Sequence, residues 1–405
     1  MSNPATISPD MLQRARQISD SIVANRRDIH KHPELSFQES RTAALISSYM
    51  EKLGYTLRQV AGTGVVAEIG SAGSGPLVGI RADMDALPIE EENQQDYASA
   101  NSGVMHACGH DSHVACALGA ARLLSEDFVN NKLAGRIRFL FQPAEETVNE
   151  ANKSGATLLV ESGAISEMRA LIALHVLPEL TTGMIGVREG VLLAACDCFT
   201  VNIIGKGGHG SRPENGIDPV VLSAQVVQAL QSVISRRKSA VLPAVLTIGG
   251  IRSSSYASNV IPDRVELTAT VRYFDRTLHT IMEEEVRQAV SVVESLGGRV
   301  ELDYKHETPA LCNDAAVTQV VREAALALLG ANALYEVPRD MGADDFSYYT
   351  EHLPCSYFVL GAKIEGSPRQ LHSSTFDINE DALPIGAAML AETAKRLLVG
   401  TPVKP

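Results

Sequence analysis

Apolar positions recur along the chain with two different periods. In MLQRARQISDSIVANRRDIHKH and SFQESRTAALISSYMEKLG they return every three or four residues, the mark of a helix that buries one stripe. Pro33 closes the first and Gly54 the second. GTGVVAEIG, PLVGIRAD, RIRFLFQP and ALIALHV are short apolar runs that read as strands, with HVACALGAARLLSEDF and ATLLVESGAI as helices among them. Strand alternating with helix predicts an α/β sheet, at least partly parallel, with helices on its faces.

After about residue 188 the pattern changes. ACDCFTVNIIG is a strand, IDPVVLSAQVVQALQSVISR a long amphipathic helix, and PAVLTIGGI and DRVELTATVRYFD are consecutive strands. LHTIMEEEVRQAVSVVESLG is helical and RVELDYKH is a last strand. That order, β-α-β-β-α-β, is ferredoxin-like. The first style then resumes with AVTQVVREAALALLG, CSYFVLGA and DALPIGAAMLAETAKRLL. The economical reading is one α/β domain (1–187 and 305–405) split by an inserted α+β domain (188–304).

Composition is that of an ordinary globular chain, 45% apolar and 20% charged over 405 residues. The formal net charge of -13 argues against binding nucleic acid or an anionic membrane. MSNPATISPD lacks the pattern of a signal peptide, and no apolar run approaches the ~20 residues of a membrane span. The six cysteines show no framework spacing, which fits a reducing cytoplasm. Cys196 and Cys198 share one face of a strand, poorly placed for a local disulfide.

Candidate chemistry lies just past the strand ends. Asp83 and Asp85 follow LVGIRAD, Glu145 and Glu146 follow RIRFLFQP, His175 ends LIALHV, and His372 follows YFVLGA through a loop. MHACGHDSH adds His106, Cys108, His110, Asp111 and His113 at the mouth of a helix. Ligands of open α/β sheets bind beyond the carboxyl ends of the strands, so these groups are expected to converge there. Thiolate, imidazole and carboxylate together suit a divalent ion such as zinc, manganese or cobalt. Of two adjacent glutamates, one can coordinate metal while its neighbour handles a proton. Cys116 and Cys312 read as core thiols, and His30 and His32 as helix-end residues that satisfy the last carbonyls.

GIRADMDALPIEE, MHACGHDSH, FLFQPAEE, ALHV, GKGGHGSRPENGIDP, NVIPD, TVRYFD and DDFSYY occur in this order across nearly the whole chain. Together they resemble the M20 metallopeptidase superfamily, and most closely its amidohydrolase branch of N-acyl-amino-acid amidohydrolases, hippurate hydrolases and plant auxin-conjugate hydrolases. The resemblance implies a two-metal catalytic domain with an inserted lid that also forms a homodimer. It implies that Cys108 bridges the two divalent ions, zinc first and manganese, cobalt or nickel as alternatives. His110, Glu146, His175 and His372 complete the ligand set, and Glu145 is general base and acid. His209 would stabilise the oxyanion in the partner subunit's site, while Asn259 and Arg272 would bind the carboxylate side of the substrate. Peptidase members carry His-x-Asp after the strand where this chain has Asp83-Met84-Asp85. Asp85 is therefore expected to orient a ligand or the base, and His106 and His113 to support or pack.

The expected activity is hydrolysis of the amide bond of N-acyl-amino acids, giving a carboxylic acid and a free amino acid. The alternatives are a dipeptidase, an aminobenzoyl-glutamate hydrolase or a diaminopimelate deacetylase on the same fold, or a metal-dependent binding protein without catalysis.

Overall fold

The computed structural model describes residues 10–71, 73 and 75–400, so most of the N-terminal MSNPATISPD lies outside the described residues. The chain divides into two compact units. One comprises residues 1–192, 312–338 and 344–405, the other 193–311 and 339–343.

The first unit is built on an eight-stranded sheet. Its strands lie in the order Thr56–Val60, Gly64–Gly70, Arg136–Gln142, Leu77–Asp83, Met168–Leu177, Cys355–Gly361, Ile185–Val187 and Leu334–Glu336. The four central strands run parallel, while the pairs at Gly64–Gly70 and Ile185–Val187 against the centre are antiparallel. Leu77–Asp83 and Cys355–Gly361 are buried at every position, as parallel strands covered on both faces must be. The cover includes the alanine-rich helices His110–Val129 and Ala382–Val399, packed against each other. The mostly parallel α/β reading thus holds. Where one helix is expected over residues 11–32, two form, Asp10–Gln17 and Ser19–Lys31. Ile18 leaves helical geometry at ψ 10° and its carbonyl accepts from Ser21 and Ile22.

The second unit is a four-stranded antiparallel sheet in the order Ala244–Ser253, Arg264–Tyr273, Ala195–Ile204, Arg299–Thr308. This is the strand order of the ferredoxin-like β-α-β-β-α-β unit. Helices Pro219–Ser232 and Leu278–Val290 cover one face through Leu222, Val226, Leu230, Met282 and Val286. The first begins with Asp218, whose carboxylate accepts from the Val220 N–H, and has Pro219 at its first position.

None of the six cysteines is in a disulfide. Cys116 is buried, as a core thiol should be, but Cys312 is exposed. It alternates with buried Leu311 and Asn313 on a three-residue strand, and that period turns it outward. No helix among the described residues is long and apolar enough to cross a membrane.

Candidate metal centre

Each sequence-predicted group of the first unit reaches the carboxyl edge of the sheet by a definable local device. The strand Arg136–Gln142 ends in Pro143 and Ala144, and Ala144 turns the chain at φ 47° so that Glu145 and Glu146 follow at the edge. Buried Glu39 holds that turn: its Oε1 accepts from the Ala144 N–H at 2.9 Å, and Thr63 donates to its Oε2 at 2.5 Å. Gly109 stands at φ 92° before the helix that starts at His110, where a Cβ would come within 2.4 Å of Val176. His372 sits at φ 59° and its N–H donates to the Ala107 carbonyl at 2.8 Å.

Two triads result, and they share one sulfur. Cys108, His110 and His175 form one, and Cys108, Glu146 and His372 the other; within each, one ligand atom per residue lies within 4.8 Å of the others. Cys108 Sγ is 3.4 Å from His175 Nε2 and 3.3 Å from His372 Nε2. His372 Nε2 lies 3.3 Å from Glu146 Oε1, and His110 Nε2 lies 4.0 Å from the same oxygen.

Hydrogen bonds behind the rings fix which nitrogens face inward. His175 Nδ1 donates to the Val176 carbonyl at 2.7 Å, and His110 Nδ1 is 2.9 Å from the Asp85 carbonyl. In both, Nε2 is the nitrogen left for a ligand bond. Asp85 is buried; its Oδ1 is 3.2 Å from His110 Nδ1, while Oδ2 accepts from Ser36 at 2.7 Å and from the Glu146 N–H at 3.1 Å. One carboxylate thus orients a histidine and clamps the glutamate pair. His113 is fully engaged: Nε2 accepts from the Val176 N–H at 3.0 Å, so Nδ1 carries the proton shared with Asp83 at 2.6 Å. Asp83 in turn takes the guanidinium of Arg81.

The donors fit a pair of cations. His110 Nε2 and Glu146 Oε1 are buried side-chain atoms with no hydrogen-bond partner, and both face the shared sulfur's surroundings. Burial pushes the Cys108 thiol well up, so ionising it there requires a neighbouring cation. Burial, then His113, holds His175 well below its usual value, as the neutral imidazole of a ligand. At His110, Asp83 and Cys108 outweigh burial and favour positive charge.

Glu145 belongs to neither triad but borders the first. Its Oε2 is 3.9 Å from His110 Nε2 and its Oε1 accepts from the Asp345 N–H at 3.4 Å. Burial first, then the charges of Asp344 and Glu146, drive its carboxyl well above the ordinary range. Behind it lies a network that sequence reasoning did not assign. Arg81 donates to Gln142 at 2.9 Å and to Asp345 at 3.0 Å, Gln142 donates to Asp345 at 2.8 Å, and Tyr357 donates to Asp344 at 2.7 Å. The adjacent acids in DDFSYY were the available signal, and Arg81 was visible only as a charge inside an apolar strand. Glu39 carried no signal beyond a helix-start acid.

His209 lies on a two-residue strand paired with Val260, and the Gly210 N–H donates to the Asn259 carbonyl at 2.8 Å. The Ser211 N–H donates to His209 Nδ1 at 3.1 Å, which leaves Nε2 of the neutral ring as a donor. Arg272 is half-buried on the strand Arg264–Tyr273, opposite Cys196. All three belong to the second unit. His106 is buried with neither ring nitrogen bonded. His32 Nδ1 donates to the Asp28 carbonyl at 2.8 Å, as a helix-end residue should. His30 does otherwise: it is buried and its Nδ1 lies 2.8 Å from Asp111, which also accepts from Arg26 at 2.7 Å.

Comparison with known proteins agrees with this geometry. Residues 79–396 match the model of peptidase family M20/M25/M40. The chain is 39% identical to the N-acetyl-L-cysteine deacetylase of Bacillus subtilis, over 98% of this chain and 91% of that one. It is 36% identical to the IAA-amino acid hydrolase ILR1-like 2 of Arabidopsis thaliana, over 95% and 87%. The crystal structure of the Bacillus subtilis YXEP protein, a dinuclear metal-binding peptidase of the M20 family, superposes with a TM-score of 0.81 at 34% identity, covering 95% of this chain and 99% of that one. The shared-sulfur triads, the fold of both units and these matches have one reading: the chain belongs to peptidase family M20/M25/M40.

Proposed function

We propose that the protein is a two-metal amidohydrolase that cleaves the amide bond of N-acyl-amino acids. The observation that carries this reading is the pair of triads meeting at Cys108, with the unligated Glu145 beside them. Cys108, His110 and His175 would hold one divalent ion, and Cys108, Glu146 and His372 the other. Sulfur and imidazole favour zinc, with manganese, cobalt or nickel as substitutes. Bound there, the ions supply Lewis acidity and lower the pKa of water. Glu145 takes a proton from the attacking water and hands it to the leaving amine, a shuttle suited to a carboxyl pushed upward by burial. Asp85 keeps His110 and the Glu146 backbone in register. His209, with Nε2 as donor, stabilises the oxyanion. Asn259 and Arg272 bind the carboxylate side of the substrate, where the guanidinium fork matches its geometry. The names of the deacetylase and the auxin-conjugate hydrolase support an N-acyl-amino acid as substrate.

The working form is a cytoplasmic homodimer joined through the second unit, with His209 serving the partner's site. Supporting this, Val220 and Val221 on the helix Pro219–Ser232 and Val245 and Ile251 on the edge strand are exposed apolar residues. The test is amine release from N-acetyl- and N-benzoyl-amino acids with added zinc, manganese or cobalt, and with a chelator. Metal-dependent release is expected. No release from metal-loaded protein would overturn the reading in favour of another scissile bond or a binding protein.

A further inference from the structure

The open face of the second unit's sheet, opposite its two helices, carries a second cluster of ligand-type side chains. Cys196 and Cys198 project from the strand Ala195–Ile204 on this face, two residues apart. Asp197 between them points to the helix side, where it is buried and accepts from Tyr304 at 2.8 Å and Tyr273 at 3.3 Å. Those two hydroxyls lock the strand and hold both thiols on the other face. On the neighbouring strand the pairing slips between His306 and Thr308, so Glu307 is an extra residue opposite Cys196. One ligand atom each from Cys196, Cys198 and Glu307 lies within 4.8 Å of the others. Cys196 Sγ donates to Glu307 Oε2 at 3.8 Å, and Thr270 Oγ1 is 3.9 Å from the same sulfur. Cys198 and Glu307 line a concavity of about 390 Å³ on this face, together with Thr247, Thr268, Thr270 and Lys305.

We propose that Cys196, Cys198 and Glu307 form a binding site for a soft or borderline cation, zinc in particular, separate from the two-metal centre. The donor set supports the choice. Thiolates select zinc over magnesium, calcium or manganese, and a carboxylate completes a three-ligand set with a fourth position open to the concavity. The surroundings balance the charge. Two thiolates and a carboxylate around a divalent ion leave one negative charge, which Arg272 opposite Cys196 offsets, while Lys305 opposite Cys198 is paired with Asp303 at 3.6 Å and the two cancel. The two thiols differ: a hydrogen bond from Cys198, and then the Arg272 charge against burial, holds Cys196 below the usual thiol range, while that same bond and burial push Cys198 well above it, so ionising Cys198 needs the cation itself. The site does not depend on the amidohydrolase reading.

The test uses full-length reduced protein with Cys108→Ala, which removes the thiolate of the first unit's centre. Cobalt is titrated in and thiolate-to-cobalt charge-transfer absorption is followed. The band is expected to appear in Cys108→Ala, to be displaced by zinc, and to vanish on adding Cys196→Ser and Cys198→Ser. Glu307→Gln, which leaves both thiols, should keep the band but weaken cobalt binding about tenfold or more. Native mass spectrometry should count one zinc fewer in Cys196→Ser/Cys198→Ser than in the unaltered protein. No band in Cys108→Ala, or a band and zinc count untouched by the two serines, would overturn the proposal. Should the triple variant fail to fold, the Glu307→Gln affinity and the zinc count decide alone.

Discussion

At the scale of single residues, two acidic groups on opposite nitrogens of one histidine carry separable duties. Glu145 is a member of neither triad and lies 3.9 Å from His110 Nε2, whereas Asp85 bonds the other ring nitrogen of His110 and the Glu146 backbone. Glu145→Gln should therefore keep its bound metal and lose turnover by about 10²–10⁴-fold, the usual worth of a positioned proton shuttle. Turnover within a few-fold of the original, at full metal content, would remove Glu145 from that role. Asp85→Asn should show the opposite balance. Losing the carboxylate that orients His110 is expected to weaken metal affinity by about 10–100-fold. Competition against a chelating dye reads this directly, and an unchanged affinity would make Asp85 merely a turn former. His113 belongs with Asp85 in kind, since both of its nitrogens are spent on Asp83 and Val176.

At the scale of elements, the site depends on how one strand stops. The strand Arg136–Gln142 must halt and turn at Pro143 and Ala144 before Glu145 can face inward. Gly155 packs against that turn so tightly that a Cβ would fall 1.6 Å from the Pro143 carbonyl oxygen. Gly155→Ala must therefore move the Pro143 backbone and the glutamates after it. The expected outcome is a lower Tm together with a fall in kcat of about 10²-fold, because a displacement near 1 Å can cost that much. A stable variant with full kcat would show that the turn has slack. The same elements show what the sequence could reveal. The buried parallel strands were legible because their runs are mostly apolar, and the ferredoxin-like unit because strands such as Arg264–Tyr273 alternate between its two long helices. Thr56–Val60, Ile185–Val187 and Leu334–Glu336 were not, since three to five residues hold too little periodicity. Acids and histidines at strand ends were readable from position alone, while Glu39, Arg81 and Asp344–Asp345 were not. Their partners lie up to 264 residues away along the chain, and no local pattern encodes such a pairing.

At the scale of the whole molecule, each unit has its own hydrophobic core. One gathers around Ile80, Phe139, Ile172, Phe358 and the helix from His110, the other around Val201, Val226, Leu267 and Met282. Units with separate cores are expected to unfold as separate cooperative transitions. All five proposed ligands of the two-metal centre reside in the first unit, and a ligand stabilises only the unit whose native state binds it. Calorimetry should therefore resolve two transitions, of which manganese raises one. At 100-fold excess over its Kd the gain is about 2.7 kcal/mol. Manganese has little preference for a thiolate pair, so the second unit's transition should stay in place. Zinc should raise both, and Cys196→Ser/Cys198→Ser should cancel its effect on the second transition alone. A single transition that either metal moves as a whole would mean that the two cores are coupled into one folding unit. Two transitions with neither moved by manganese would mean that the donors gathered at Cys108 do not hold the ion in the native state.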